Sequence, residues 1–307
     1  MELSQYHQIL SLLNNFSNKD KISVIECLDS ISELRKQMSV LFNKLLKVAL
    51  KNRNLPMVKF VCDNLEKIDN KAITLAAKYN CLEILKYLHE KGLDTTNHNY
   101  SALSWAARNN DFKMVEYLQH QGSDIRANDD EALRWAALSG CLEMVEYLQT
   151  QGCDVRNRND FAIKYAARNG HFKLVRYLHS QGSDIRTDDD YALRWAARNG
   201  HLEIVKYLHS KGCNIHAYGD SAIKWASMGG YLEIVEYLHG VGCDIRIDND
   251  YPIRWAASNG HLEVVEYLFS QGCDIGADNN YALMWAKKNG HDDVVEYIVL
   301  LKLLKLY

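Results

Sequence analysis

From residue 71 onward the apolar positions follow two interleaved rhythms. In the stretch YALRWAARNGHLEIVKYLHSKGCNIHAYGD (191–220), small and aliphatic residues fall at helical spacing twice, on either side of an Asn-Gly pair. The pattern returns every thirty residues without a gap, in units opening at Lys71, Ser101, Glu131, Phe161, Tyr191, Ser221, Tyr251 and Tyr281. Numbering positions 1 to 30 within a unit, position 10 is Gly in six units and Asn80 or Asn110 in the others. Position 18 is Leu or Ile in all eight, and position 22 is Gly in the seven full units. Gly or Asn suits a left-handed helix stop, so each unit is predicted to hold one helix over positions 2–9 and a second over 11–20. Positions 23–30 read as a polar link rich in turn formers.

At one hundred degrees per residue, positions 2, 3, 6 and 7 share one face of the first helix, and 12, 14, 15 and 18 form the buried stripe of the second. One such pair cannot bury its own apolar face, so neighbouring units must stack. Pro252, the proline inside the repeats, falls at position 2, where a first helical turn tolerates it.

These residues resemble the ankyrin repeat. The family pattern TPLHxAAxxGHxxxVxxLLxxGA is matched here by ALRWAARNGHLEIVKYLHSKGC, Ala192 to Cys213. The resemblance covers residues 71–307 and implies an all-α ankyrin-repeat solenoid of stacked helix-turn-helix units. Residues 41–70 resemble a degenerate first unit, and residues 1–40 a helical cap. A family unit is about 33 residues long. Here the shortfall to thirty lies in the link, which implies a stubby β-hairpin finger. The DNDYALRWAA…GHLEVVEYL style is similar to ankyrin proteins encoded by giant DNA viruses of amoebae.

Composition narrows the functional classes. The 307 residues carry a net charge of −3, so a general polycation for nucleic acid is not indicated. No 18-residue apolar run suggests a membrane span, and the N-terminus lacks the features of a secretory signal; a cytoplasmic chain is expected. There is no GxSxG, GxxxxGK[ST] or HExxH motif, and the candidate His and Cys residues recur in equivalent places, so no enzyme, cofactor or metal is expected. Cys153, Cys213, Cys243 and Cys273 share position 23 and read as small buried packing residues. His171, His201, His261 and His291 share position 11; His89, His179, His209 and His239 share position 19. Both columns are expected to bond backbone carbonyls at helix ends.

Bases at position 4 (Arg134, Lys164, Arg194, Lys224, Arg254) follow an Asp at position 30 by four residues, an i,i+4 arrangement that favours ion pairing on a helix. All six tryptophans stand at position 5, at the border of the buried face, beside aromatic residues at position 1 and Arg at position 8. Trp, Tyr and Arg dominate binding hot spots. The expected partner-binding residues are therefore Arg134, Trp135, Arg168, Tyr191, Arg194, Trp195, Arg198, Lys224, Trp225, Arg254 and Trp255. The resemblance implies a scaffold for a protein partner, bound on the face of the first helices and links, with action on host proteins if the viral likeness holds. An alternative is an adaptor for host ubiquitin ligation through an F-box-like segment, QILSLLNNFSNKDKISVIECLDSISEL (8–34), although the usual Leu-Pro opening is missing. The apolar C-terminal run YIVLLKLLKLY (297–307) is a candidate for self-association.

Overall fold

A computed structural model describes residues 38–96 and 100–304. The F-box-like segment at 8–34 and most of the expected cap lie outside the described residues. Every regular element among the described residues is a helix. The chain divides near residue 102 into two compact units.

In the first, a helix over the described residues 38–51 is followed by Leu55–Asp63, Lys71–Lys78 and Leu82–Glu90. Asn54 opens the second of these: its side chain accepts from the backbone N–H of Met57 at 3.0 Å, and Pro56 sits in the first turn, where its missing donor costs nothing. The core is small and aliphatic, with Leu50, Val58, Val61, Ile73, Leu85 and Leu88 fully buried. A cavity of about 1030 Å³ opens between the 38–51 helix and the 65–71 link.

In the second, helix pairs follow one another at the thirty-residue period. The unit opening at Tyr191 pairs Thr187–Arg198 with Leu202–Ser210. First helices of successive units pack side by side, as do second helices. The two predicted faces are the observed ones. Ala192, Leu193, Ala196 and Ala197 are buried in the first helix, and Ile204, Val205 and Leu208 in the second. Position 12 is only half-buried. In the unit opening at Tyr281, Leu300, Leu303 and Leu304 are exposed beside the buried Val294, Ile298 and Leu301.

The glycine at position 10 answers to two demands. Gly170 has φ +81°, the left-handed stop expected of it. A Cβ there would also stand 2.6 Å from the ring of His201, the position-11 residue of the next unit. The same clash awaits a side chain at Gly140, Gly200, Gly230 and Gly260. Gly170→Ala is expected to cost about 2–4 kcal/mol, the left-handed penalty plus overpacking. Gly182→Ala is the comparison: φ is +89° but nothing lies within 4 Å of the added methyl, so only the backbone penalty remains. Urea denaturation of the two variants separates the terms. Equal losses would show that the His201 contact is immaterial.

The link departs from expectation. There is no strand among the described residues, so the stubby hairpin is replaced by something else. Positions 28–30 form a left-handed turn: Asp188, Asp189 and Asp190 have φ of 53°, 53° and 56°. Residues 128–130, 158–160, 218–220, 248–250 and 278–280 repeat it. Each such residue costs roughly 1–2 kcal/mol unless it is Gly, Asn or Asp, which explains the Asn/Asp-rich composition of the link. The link is also less polar in effect than its composition suggests. Position 25 is a buried aliphatic anchor in Val155, Ile185, Ile215, Ile245 and Ile275. The position-24 carboxylates close an Asx turn, with Asp184 Oδ1 accepting from the backbone N–H of Arg186 at 2.8 Å.

Candidate functional site

Three sets of side chains hold the link and decide which residues remain for a partner. The first is the Asp at position 30. Asp130 is fully buried and does not pair with the base four residues on. Its Oδ2 accepts from the backbone N–H of Asp154 at 3.0 Å and from Asn157 Nδ2 at 2.5 Å, both in the next link, while Oδ1 meets Arg126 Nε at 3.3 Å. Asp160 and Asp250 reach the N–H groups of Asp184 and Asp274 in the same way. Burial pushes the Asp160 carboxyl above its ordinary range.

The second set is the position-4 bases, and here the i,i+4 expectation is corrected. Left-handed residues turn their carbonyls away from any helix, and the position-4 side chain satisfies them. Arg194 Nε and Nη2 donate to the carbonyls of Asp189 and Asp188, each at 2.7 Å. Arg134 grips Asp129 and Asn128 at 3.2 and 2.7 Å. Lys164 and Lys224 instead reach Asp188 and Asp248 of the following link, at 2.5 and 2.8 Å. Arg254 does both, to the Asp248 carbonyl and the Asp278 carboxylate. Lys164, Arg194 and Arg254 are buried, while Arg134 and Lys224 are half-buried. Four of these five, Arg134, Arg194, Lys224 and Arg254, are expected partner-binding residues, and all four are thus occupied by the links.

The third set is the second-helix polar ladder. His201 Nε2 lies 3.1 Å from the carbonyl of Arg168, one unit back, and His171 and His261 meet Leu138 and Met228 likewise. Three of the position-19 histidines depart from the carbonyl contact expected of them. His179, His209 and His239 each sit 2.8 Å from the hydroxyl of a position-17 tyrosine one unit on: Tyr207, Tyr237 and Tyr267.

Burial lowers the His201 and His261 imidazoles below the ordinary value of 6.5. The folded chain therefore resists a proton that the unfolded chain accepts. Stability contributed by the neutral rings is complete above 6.5 and is lost as pH falls through 6.5 toward the lowered values. The urea midpoint should drop between pH 7.5 and pH 5.5. His201→Gln with His261→Gln should flatten that dependence, and an unchanged slope in the double variant would refute the assignment.

What remains open along the first helices is an aromatic ladder interleaved with guanidinium groups. Trp105 and Trp135 stack at 5.6 Å, with Arg108 4.8 Å from each ring. Further along, Phe161 stacks on Tyr165 at 4.0 Å, and Tyr165 leads to Tyr191 at 6.0 Å. Tyr191 stacks on Trp195 at 5.4 Å, and Trp195 meets Trp225 at 5.6 Å. Arg168 and Arg198 stand 4.3 and 4.5 Å from the Trp195 ring, and Arg198 is 5.2 Å from Trp225. Tyr251, Trp255, Tyr281 and Trp285 continue the series at 5.5–6.0 Å. Trp135, Arg168, Tyr191, Trp195, Arg198, Trp225 and Trp255 are all half-buried. Each ring stiffens the stack on one side and keeps an edge in solvent on the other.

A family profile described as Ankyrin repeats (3 copies) matches residues 45–129, 103–189, 163–249 and 223–303. The chain belongs to the ankyrin-repeat family. Ankyrin repeats generally mediate protein–protein interaction, and the all-α solenoid expected from the sequence is the family's architecture in a thirty-residue form. The left-handed turn stands where the resemblance had placed a hairpin finger. No helix among the described residues is long and apolar enough to cross a membrane.

Proposed function

We propose that this ankyrin chain is a non-catalytic scaffold that holds a protein partner on the aromatic–guanidinium ladder of its first helices. The supporting observation is the ladder itself: half-buried Trp, Tyr and Arg side chains recur at fixed spacing on one face of residues 103–304. Such side chains arrive at an interface already ordered by their neighbours, so little rotamer entropy is lost on binding. The set of expected residues divides accordingly. Trp135, Arg168, Tyr191, Trp195, Arg198, Trp225 and Trp255 offer contact area. Arg134, Arg194, Lys224 and Arg254 support the links behind them. A partner with extended apolar segments and carboxylates would match rings flanked by guanidinium groups.

The test is capture of binding proteins by the intact chain, in parallel with the Trp195→Ala/Trp225→Ala variant. Proteins retained by the first and lost by the second are partners of the ladder. A set of captured proteins identical for both would overturn the proposed face.

A further inference from the structure

One link departs from the residue pattern of its neighbours. In four links a buried Asp at position 30 accompanies an Arg at position 26; Arg126 meets Asp130 at 3.3 Å and Arg246 meets Asp250 at 3.6 Å, while Arg156 pairs with Asp154 and Arg186 donates to the Gly212 carbonyl. Where position 26 is Gly276, position 30 is the neutral Asn280. In the link 213–220 the aspartate stays, as Asp220, but the base becomes His216. His216 Nδ1 lies 2.6 Å from Asp220 Oδ1, and the side chain of Asp220 is 13% exposed. A neutral imidazole brings no charge to that carboxylate. The Nδ1–H tautomer of the imidazole can donate to that carboxylate, and a divalent ion taking the place of this proton would bind the same two atoms.

The third neighbour is Cys243, at position 23 of the following link. One ligand atom each of His216, Asp220 and Cys243 lies within 4.8 Å of the others. Cys243 Sγ is 3.9 Å from the carbonyl of Ile215, the longest such contact in its column, against 3.4–3.6 Å for Cys153, Cys213 and Cys273. Its sulfur is therefore the least committed to the backbone.

We propose that His216, Asp220 and Cys243 form a site for one divalent metal ion of the zinc class. Imidazole nitrogen, carboxylate oxygen and thiolate sulfur are the ligand types that zinc takes in tetrahedral sites. Bonds of about 2.0–2.3 Å place tetrahedral ligand atoms roughly 3.3–3.7 Å apart, within reach of small rotations of the exposed His216 and of Asp220. The fourth position faces solvent beside His216 and takes water. The ion brings Asp220 the positive charge that Arg126 and Arg246 bring to Asp130 and Asp250. Zinc replaces the proton on Nδ1 and the thiol proton, so binding weakens as pH falls.

The repeats supply variants with an internal precedent for folding. His216→Arg installs the residue of four other links, and Cys243→Ser installs the residue of Ser123 and Ser183. In a titration of the intact chain with Co²⁺, we expect thiolate-to-cobalt charge-transfer absorption that saturates at one equivalent and is displaced by Zn²⁺. His216→Arg and Cys243→Ser should lower the affinity at least tenfold and remove the absorption. Cys213→Ser, in the same column but beside Arg186, should leave it intact. X-ray absorption of the wild-type chain at one equivalent of zinc should show a sulfur neighbour at about 2.3 Å. No charge-transfer band, a band that survives His216→Arg and Cys243→Ser, or a zinc shell of nitrogen and oxygen only would each overturn the site. None of these results bears on the aromatic ladder.

Discussion

Replacing Trp195 and Trp225 together by alanine is expected to weaken partner binding by more than about 2 kcal/mol, the scale of interface hot spots. Trp195 is the junction of the ladder: it touches Tyr191 and Trp225 and carries Arg168 and Arg198 over its ring. Truncation removes its own contact area and leaves two guanidinium groups without the surface that orders them. Some stability must fall as well. A buried aromatic truncated to alanine costs about 3–5 kcal/mol, and a half-buried one less. Affinity therefore has to be compared after correcting for the fraction folded, at a temperature where circular dichroism shows both proteins native. The control is Tyr207→Phe with Tyr237→Phe. It removes the hydroxyls that meet His179 and His209 on the second helices and leaves the first-helix face untouched. If the tyrosine pair abolishes binding and the tryptophan pair does not, the partner sits on the second helices and the ladder is purely structural.

The helices, their faces and the stops between them were legible because each rests on local periodicity. Positions 2, 3, 6 and 7 share a face in any helix, and Gly at position 10 ends one wherever it occurs. Repetition multiplied the signal, since eight copies of Tyr at position 17 cannot be accident. The links were not legible, for a physical reason. Their structure is decided by partners about 24 residues away, as when Asp130 takes the N–H of Asp154. Proximity in sequence suggested that Asp130 pairs with Arg134, four residues on. That pairing presumes right-handed helix through residues 128–130, where the chain is left-handed. The signal available was the run NDD, RND, DDD, YGD, DND and DNN at positions 28–30, in which every residue but Arg158 and Tyr218 is of a type that tolerates positive φ. A single Asn or Asp suggests a turn; three in succession, repeated along the chain, suggest a left-handed one.

The candidate site was legible in part, and along the same line. Trp, Tyr and Arg at positions 1, 5 and 8 are neighbours on one helix face, so their mutual contact follows from spacing alone. The position-4 bases were grouped with them because they lie on the same arc, yet they turn back into the link. The His216 cluster escaped a column-by-column reading because its members come from positions 26, 30 and 23 of adjoining links. Like residues one unit apart are too far apart to share an ion, whereas unlike residues facing one another across a link are not. The visible trace was a gap in the arginine column at His216 with the aspartate at position 30 retained.

Asp130→Ala is expected to destabilise residues 103–307 by about 3–5 kcal/mol. The side chain of Asp130 is 1% exposed, and its carboxylate accepts from Asp154 and Asn157 while meeting Arg126. Hydrogen bonds to a charged acceptor are worth roughly 1.5–3 kcal/mol each, and alanine leaves two donors of the next link without one. Alanine also tolerates the left-handed φ of 57° less well than aspartate. The Arg126 side chain is 56% exposed and regains water, so it adds little. The comparison is Asp129→Asn. Asp129 is also left-handed, and its ion pair with Arg158 has both side chains more than half exposed. Such a surface pair contributes about 0–1 kcal/mol, and asparagine keeps the backbone preference, so little change is expected. Chemical denaturation ranks the two variants, and hydrogen exchange locates the loss. The amide of Asp154 should lose protection in Asp130→Ala and keep it in Asp129→Asn. If the two variants unfold at the same denaturant concentration, the buried carboxylate does not join adjacent links, and the left-handed turns must be held by the position-4 bases alone.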